Sequence, residues 1–256
     1  MIGKKSAKVI KGLYALWYRE FRVFTREKSR VISSVALPLF WYFIFGNGVG
    51  SMNKGNALSY QHFIFPGFLA MTIIFTGLFA GAYIVWDKKI DFLKEVLITP
   101  LSRTTVFFGK AMGSMTDALI QSYFLLFIGY LFLGIKFSIP SALFSMAILF
   151  IFANGLISLG LIIGSFMESP EGYGLISSFV IYPLFLLSGA VYPLDNLPGW
   201  MQILTRIDPA TYAVDALRFV ILGSSSMPIL LDLAVLILFD ILMAFVGTWA
   251  FKRLRL

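Results

Sequence analysis

The chain has 256 residues, of which 59% are hydrophobic and 13% charged, and it carries a net charge of +8 at pH 7. An ordinary soluble domain carries roughly 25% charged residues, and a single core cannot hide this much apolar surface, so lipid is the solvent for much of the chain. The basic excess lies beside hydrophobic runs, which excludes a separate nucleic-acid-binding domain, and the absence of cysteine excludes a thiolate metal site.

Residues 1–30 open the chain. Apolar side chains at Ile10, Leu13, Tyr14, Trp17, Phe21 and Phe24 recur in steps of three and four, with Lys11, Arg19, Arg22 and Arg26 mostly off that stripe. The spacing predicts a basic amphipathic helix lying in the membrane interface on the cytoplasmic side. The basic start resembles a signal peptide, but the polar stretch is long and no small-residue cleavage site follows cleanly, so an uncleaved first membrane helix is expected.

Residues 31–256 read as a six-helix transmembrane domain, an all-α integral membrane fold. The six apolar segments are Val31–Gly50, Phe63–Trp86, Ala111–Ile135, Ile139–Met167, Tyr173–Tyr192 and Met227–Phe251. Each is long enough for a hydrocarbon core of about 30 Å at about 1.5 Å of rise per residue. Pro38 and Pro183 fall inside two of them, where neighbouring helices can satisfy the freed carbonyls.

Two connections are long enough for structure of their own. Residues 87–110 predict a short helix from Asp87 to about Ile98, stopped by Thr99-Pro100, with Ile90, Leu93 and Leu97 on its apolar face. Residues 193–226 contain Leu197-Pro198-Gly199-Trp200, an amphipathic run, a break at Asp208-Pro209, and a second short helix from Ala210 to about Leu222. Seventeen of the 21 Lys and Arg residues fall on the side holding both ends and the 87–110 loop, and four (Lys54, Lys136, Arg206, Arg218) on the other. That asymmetry places both termini in the cytoplasm.

Catalytic signatures are missing. The single histidine, His62, builds neither a triad nor a metal cluster, and Gly109-Lys110 is followed by Ala111, so no phosphate-binding loop exists. The chain is therefore expected not to be an enzyme and to bind no cofactor directly. Asp117, Asn154 and Asp240 are polar residues inside spans, where a charge costs roughly 2.5–3.5 kcal/mol at the bilayer centre on insertion scales. They are candidates for a solvated path or for bonds between helices. Gly160-x-x-x-Gly164 points to close helix packing.

Taken in order, these pieces resemble the membrane (permease) subunit of type-2 ABC transporters, most closely the daunorubicin-exporter-like branch. The resemblance spans nearly the whole chain. It rests on the N-terminal helix, Tyr60-Gln-His-Phe-Ile-Phe-Pro66-Gly67, the run Phe92-Leu-Lys-Glu95 to Pro100-Leu-Ser-Arg103, Gly109-Lys110, Leu197-Pro-Gly-Trp200, and Asp208-Pro-Ala-Thr-Tyr212-Ala-Val-Asp215-Ala-Leu-Arg218. It implies an exporter subunit that pairs with a second permease copy, homologous or identical, and with two copies of an ATPase subunit holding ATP and Mg²⁺. The 87–110 loop becomes the coupling loop, with Asp87, Ile90, Leu93, Lys94, Glu95, Leu97 and Arg103 as ATPase-coupling residues. Residues 193–226 become an extracellular re-entrant segment capping the path. Asp117, Asn154, Asp240, Trp200, Asp215 and Arg218 are then candidates for the translocation path or gate. The expected location is the inner (cytoplasmic) membrane among its lipids, and the expected cargo is amphipathic: a drug, lipid or glycan.

An ion-coupled secondary transporter is the rival reading, although an intramembrane carboxylate network and two related halves are not evident. A membrane-embedded enzyme would need clustered His, Asp or Glu. A non-transporting scaffold would not co-purify with an ATPase.

Overall fold

The computed structural model describes residues 2–52, 57–194 and 197–254; Lys54, counted above, lies outside them. Ten helices and no strand occur among these residues: α1 (Ile2–Arg26), α2 (Lys28–Met52), α3 (Ala57–Lys89), α4 (Phe92–Ile98), α5 (Arg103–Phe132), α6 (Ile139–Phe166), α7 (Pro170–Leu187), α8 (Gly199–Ile207), α9 (Pro209–Leu222) and α10 (Ile229–Lys252). Six of them are long and apolar enough to cross a membrane: α2, α3, α5, α6, α7 and α10.

The bundle is organised around α3. It packs on α2, α5, α6, α7 and α9, and Ile64, Phe65, Leu69, Ile73, Ile74 and Leu78 along it are fully buried. By contrast α10 rests on α6 and α9 and leaves Leu238, Ile241 and Phe245 outward, as expected of side chains solvated by lipid rather than protein.

The glycine pair noted in the sequence has a counterpart. A Cβ on Gly160 would sit 2.5 Å from the Gly77 carbonyl oxygen, and one on Gly164 would collide with Gly81. Gly77-x-x-x-Gly81 on α3 therefore faces Gly160-x-x-x-Gly164 on α6, and the two backbones touch. The Tyr173 hydroxyl from α7 donates to the Leu78 carbonyl at the same crossing.

The α1 helix docks on α5 by a face that overlaps the apolar stripe only in part. Leu16, Glu20 and Phe24 are buried, and a Cβ on Gly109 or Gly113 of α5 would strike Leu16 or Glu20 respectively. Trp17 Nε1 donates to Thr116 Oγ1 of α5 at 2.9 Å. The N-terminal part of the stripe turns outward, with Ile10 and Tyr14 exposed.

Helix boundaries correct the expected loop. α3 continues to Lys89, so Asp87-Lys88-Lys89 finishes a long helix instead of starting a short one. Asp91 then takes a left-handed conformation (φ 59°), which ends the path of α3 and lets α4 start in a new direction. α5 starts at Arg103, eight residues before the expected Ala111, capped by the Ser102 hydroxyl accepting from the Thr105 N–H. Lys110 is consequently a helical residue and not a loop residue. α8 and α9 match the two short helices expected after residue 197.

Candidate functional site

At the end of the bundle that holds α1 and α4, four charged side chains meet. Lys110 Nζ lies 2.5 Å from Glu20 Oε1 and also pairs with Asp87. Arg19 closes the ring, with Nη1 2.7 Å from Glu20 and Nη2 2.8 Å from Asp87. Glu20, Asp87 and Lys110 are all buried, and two cations against two anions leave the cluster neutral, as burial demands. Burial opposes the Arg19 charge, but hydrogen bonds and attraction to Asp87 and Glu20 outweigh it and hold its pKa above the ordinary value. The Arg19 guanidinium also lies 3.9 Å from the centroid of the Phe92 ring at the start of α4. One cluster thus ties α1, α3, α4 and α5 together.

Above this brace α4 shows a divided face. Leu93 is fully buried and Val96 nearly so, which fixes the helix to its own chain. Lys94 and Glu95 are exposed, as are Ile90 (63%) and Ile98 (85%), so apolar and charged groups alternate on the outward side. Lys94 pairs with Asp91 at 2.6 Å. Of the residues grouped with this loop in the sequence, Asp87 and Leu93 face inward, Leu97 is half-buried, and Ile90, Lys94 and Glu95 face out. Arg103 turns to the chain's other end, donating to the carbonyls of Lys252 and Leu254 at 3.0 and 2.7 Å. The N-terminal helix, the 87–110 loop and the C-terminal helix therefore share one end of the molecule.

Lys88 is a fastener that the sequence did not single out. Its ammonium donates to the carbonyls of Gly164, Ser165 and Met167 at 3.1, 2.5 and 3.1 Å. These belong to the last turn and C-cap of α6, where carbonyls run short of helical partners (that of Gly164 also accepts from the Met167 N–H) and a cation complements the dipole.

Within the bundle, Asn154 Nδ2 of α6 donates to Asp240 Oδ1 of α10 at 2.7 Å. The two were separate candidates, and the fold joins them. Asp117 is buried on α5 fourteen residues after Arg103; because α5 starts early, it lies deeper along its helix than expected.

At the opposite end, α9 is pinned on three sides. Asp208 caps it, accepting from the Ala210 N–H at 2.8 Å. The Asp215 carboxylate accepts from the N–H groups of Ser226 and Met227, both at 2.9 Å at closest approach, which fixes the lead into α10. Arg218 donates to the Gly189 carbonyl at 2.9 Å and lies 4.0 Å from the centroid of the Phe63 ring. Burial lowers the Arg218 pKa to about 10, with Asp215 acting in the opposite direction. Burial likewise pushes the Asp208 carboxyl up to about 8, against the Ala210 N–H. Trp200 is exposed. The run Asp208–Arg218 thus holds a set of clasps to neighbouring backbone. Among the described residues no group of three or more His, Cys, Asp or Glu side chains is placed to hold a metal ion.

These features define a polytopic helical membrane protein whose polar chemistry is gathered at its two ends and along one internal seam. The chain belongs to the ABC-2 type transporter family, whose pattern it matches over residues 11–222. It is 29% identical to the transport permease ycf38 of Cyanophora paradoxa over 96% of this chain and 89% of that protein. It is 28% identical to the inner membrane transport permease YadH of Escherichia coli K12 over 89% of this chain and 90% of that protein. A third relative, YbhR of the same strain, is named as a multidrug ABC transporter permease; it is 32% identical over 67% of this chain and 47% of its own length.

Proposed function

We propose that this chain is the membrane subunit of an ATP-binding-cassette exporter of the daunorubicin-exporter-like branch. It forms the translocation path with a second permease copy and binds two copies of an ATPase subunit, which hold the ATP and Mg²⁺. Both termini then lie on the cytoplasmic side of the inner membrane, with α8 and α9 outside, and the cargo is amphipathic. The observation that carries this reading is α4: a short helix with an outward face of mixed apolar and charged residues, braced from behind by a neutral charge cluster. An amphipathic segment of this kind suits a groove on a partner. Force applied to α4 would pass through Phe92 and Arg19 to α1, α3 and α5 together, which suits rigid-body rocking of helices. The family membership and the permease relatives support the same class.

The test uses the outward face, because Leu93 is committed to the fold. The double variant Glu95→Arg, Ile98→Asp is expected to insert and fold normally yet lose ATP-driven transport and ATPase co-purification. Wild-type transport by that variant would remove α4 from the coupling path.

A further inference from the structure

A cavity of about 380 Å³ lies between α2, α3 and α5, inside a single copy of the chain. That volume falls within the range of small-molecule sites, roughly 300–1,000 Å³. Its mouth is polar, with Ser29 and Ser33 of α2 and Tyr83 of α3 near the α1 end, where the Tyr83 hydroxyl lies 3.4 Å from Glu27. Its walls are apolar, formed by Leu37 and Pro38 on one side and Phe75 and Phe79 on the other. Gln121 of α5 lines it as well.

Gln121 is the informative residue. It is 1% exposed. Its carbonyl oxygen accepts from the Thr76 hydroxyl at 2.7 Å. Its Nε2, a double donor, has no hydrogen-bond partner among the described residues. A buried donor left unpaired costs about 1–3 kcal/mol; Nε2 is shielded as it stands, and an acceptor in the adjoining cavity would recover that loss once the Gln121 amide turns toward it.

We propose that this cavity binds a compact, uncharged amphipath with a flat apolar body and one carbonyl oxygen. The body lies between the Leu37–Pro38 and Phe75–Phe79 walls, and the oxygen accepts from the Gln121 amide. Describing the ligand as cargo rests on the export reading above; the binding itself does not. The site belongs to one copy and does not need the second.

The probe is prodan, 6-propionyl-2-(dimethylamino)naphthalene, a flat uncharged ketone whose emission moves to the red when its oxygen accepts a hydrogen bond. The full chain in phosphatidylcholine nanodiscs is titrated with prodan, and the signal of protein-free nanodiscs is subtracted. Saturable binding is expected. Gln121→Leu should weaken it roughly five- to tenfold and shift the bound emission to the blue, and Leu37→Trp should abolish it by filling the cavity. On the unmodified chain alone, 2-(dimethylamino)naphthalene, which lacks the ketone, should bind weaker by a similar factor, so the test does not depend on variants folding. Absence of a saturable component, equal affinity of both probes, or a phospholipid retained one per chain that prodan does not displace would each overturn the proposal. The Glu95→Arg, Ile98→Asp variant should bind prodan normally. ATP-independent transport with intact prodan binding would therefore count against the export reading and leave the site standing.

Discussion

Glu20 on α1 and Lys110 on α5, 90 residues apart in the chain, meet at 2.5 Å in a buried contact. Lys110 also holds Asp87, so its removal would leave two buried carboxylates facing Arg19 alone. Lys110→Met is expected to destabilise the protein by about 3–5 kcal/mol, the scale for stripping one partner from a buried ion pair. Adding Glu20→Gln should restore much of the loss by returning the cluster to neutrality. Melting temperatures of the single and double variants in detergent check both statements; no recovery in the double variant would show that the cluster acts through packing and not through charge balance.

Lys88 makes a second, independent fastening. Lys88→Met takes the ammonium from three carbonyls at the end of α6, of which, among the described residues, only that of Gly164 keeps a donor, the Met167 N–H, and a loss of about 2 kcal/mol is expected. Hydrogen exchange should rise at residues 164–167 and not at the α1–α5 contact.

The Asn154–Asp240 bond separates a structural role from an ion-relay role. Asp240→Asn keeps a polar partner for Asn154 and is expected to leave both stability and transport near wild type. Asn154→Leu leaves Asp240 without its amide donor and should destabilise. Loss of transport in Asp240→Asn, together with sensitivity to collapse of the proton gradient, would favour ion coupling.

Asp208 gives a pH dependence with a definite sign. Its pKa in the folded chain is pushed up to about 8 by burial, above the ordinary carboxylate value, so the folded state binds the extra proton. Its contribution to stability is full below about pH 4 and is lost as pH rises through 8. Asp208→Asn retains a good N-cap and should flatten the decline in melting temperature between pH 5 and pH 9. An unchanged slope would mean that another group titrates there.

The α3–α6 crossing tolerates no added atom. Gly160→Ala would push a methyl against the Gly77 carbonyl at 2.5 Å, and a loss of about 1–3 kcal/mol is expected for such overpacking. Gly174→Ala, which meets nothing within 4 Å, is the matched control on α7.

The six spans were legible because each is a long apolar run, and the Gly160–Gly164 pair because small residues four apart share a helix face. Boundaries near charges were not legible. Asp87 and Lys110 look like loop residues in one dimension; they pair with each other only once α3 and α5 pack, and α1 folding onto α5 adds the Arg19 and Glu20 that complete the neutral cluster. For the same reason Glu20, a lone acid in a basic helix, gave no signal that it faces inward. The apolar spacing already sets Leu93 apart from the charged face of α4, but Ile90, grouped with it, is exposed because the left-handed turn at Asp91 cuts it off from α4, and no propensity announces that turn. Asp215 and Arg218 stand out in the sequence as part of a motif; that they clasp the Ser226–Met227 and Gly189 backbones follows from how α9 packs against those segments. Asn154 and Asp240 were identified singly, since pairing across 86 residues leaves no local trace.

The backbone contact between α3 and α6 has a mechanical consequence. Two rods that touch along glycine seams, stapled at one end by Lys88 and crossed by Tyr173, cannot slide or splay without first losing that fit. They behave as a single spar. Reshaping of the molecule during its working cycle then falls to the members hung on this spar, α2, α7 and α10, whose outer flanks grip nothing among the described residues.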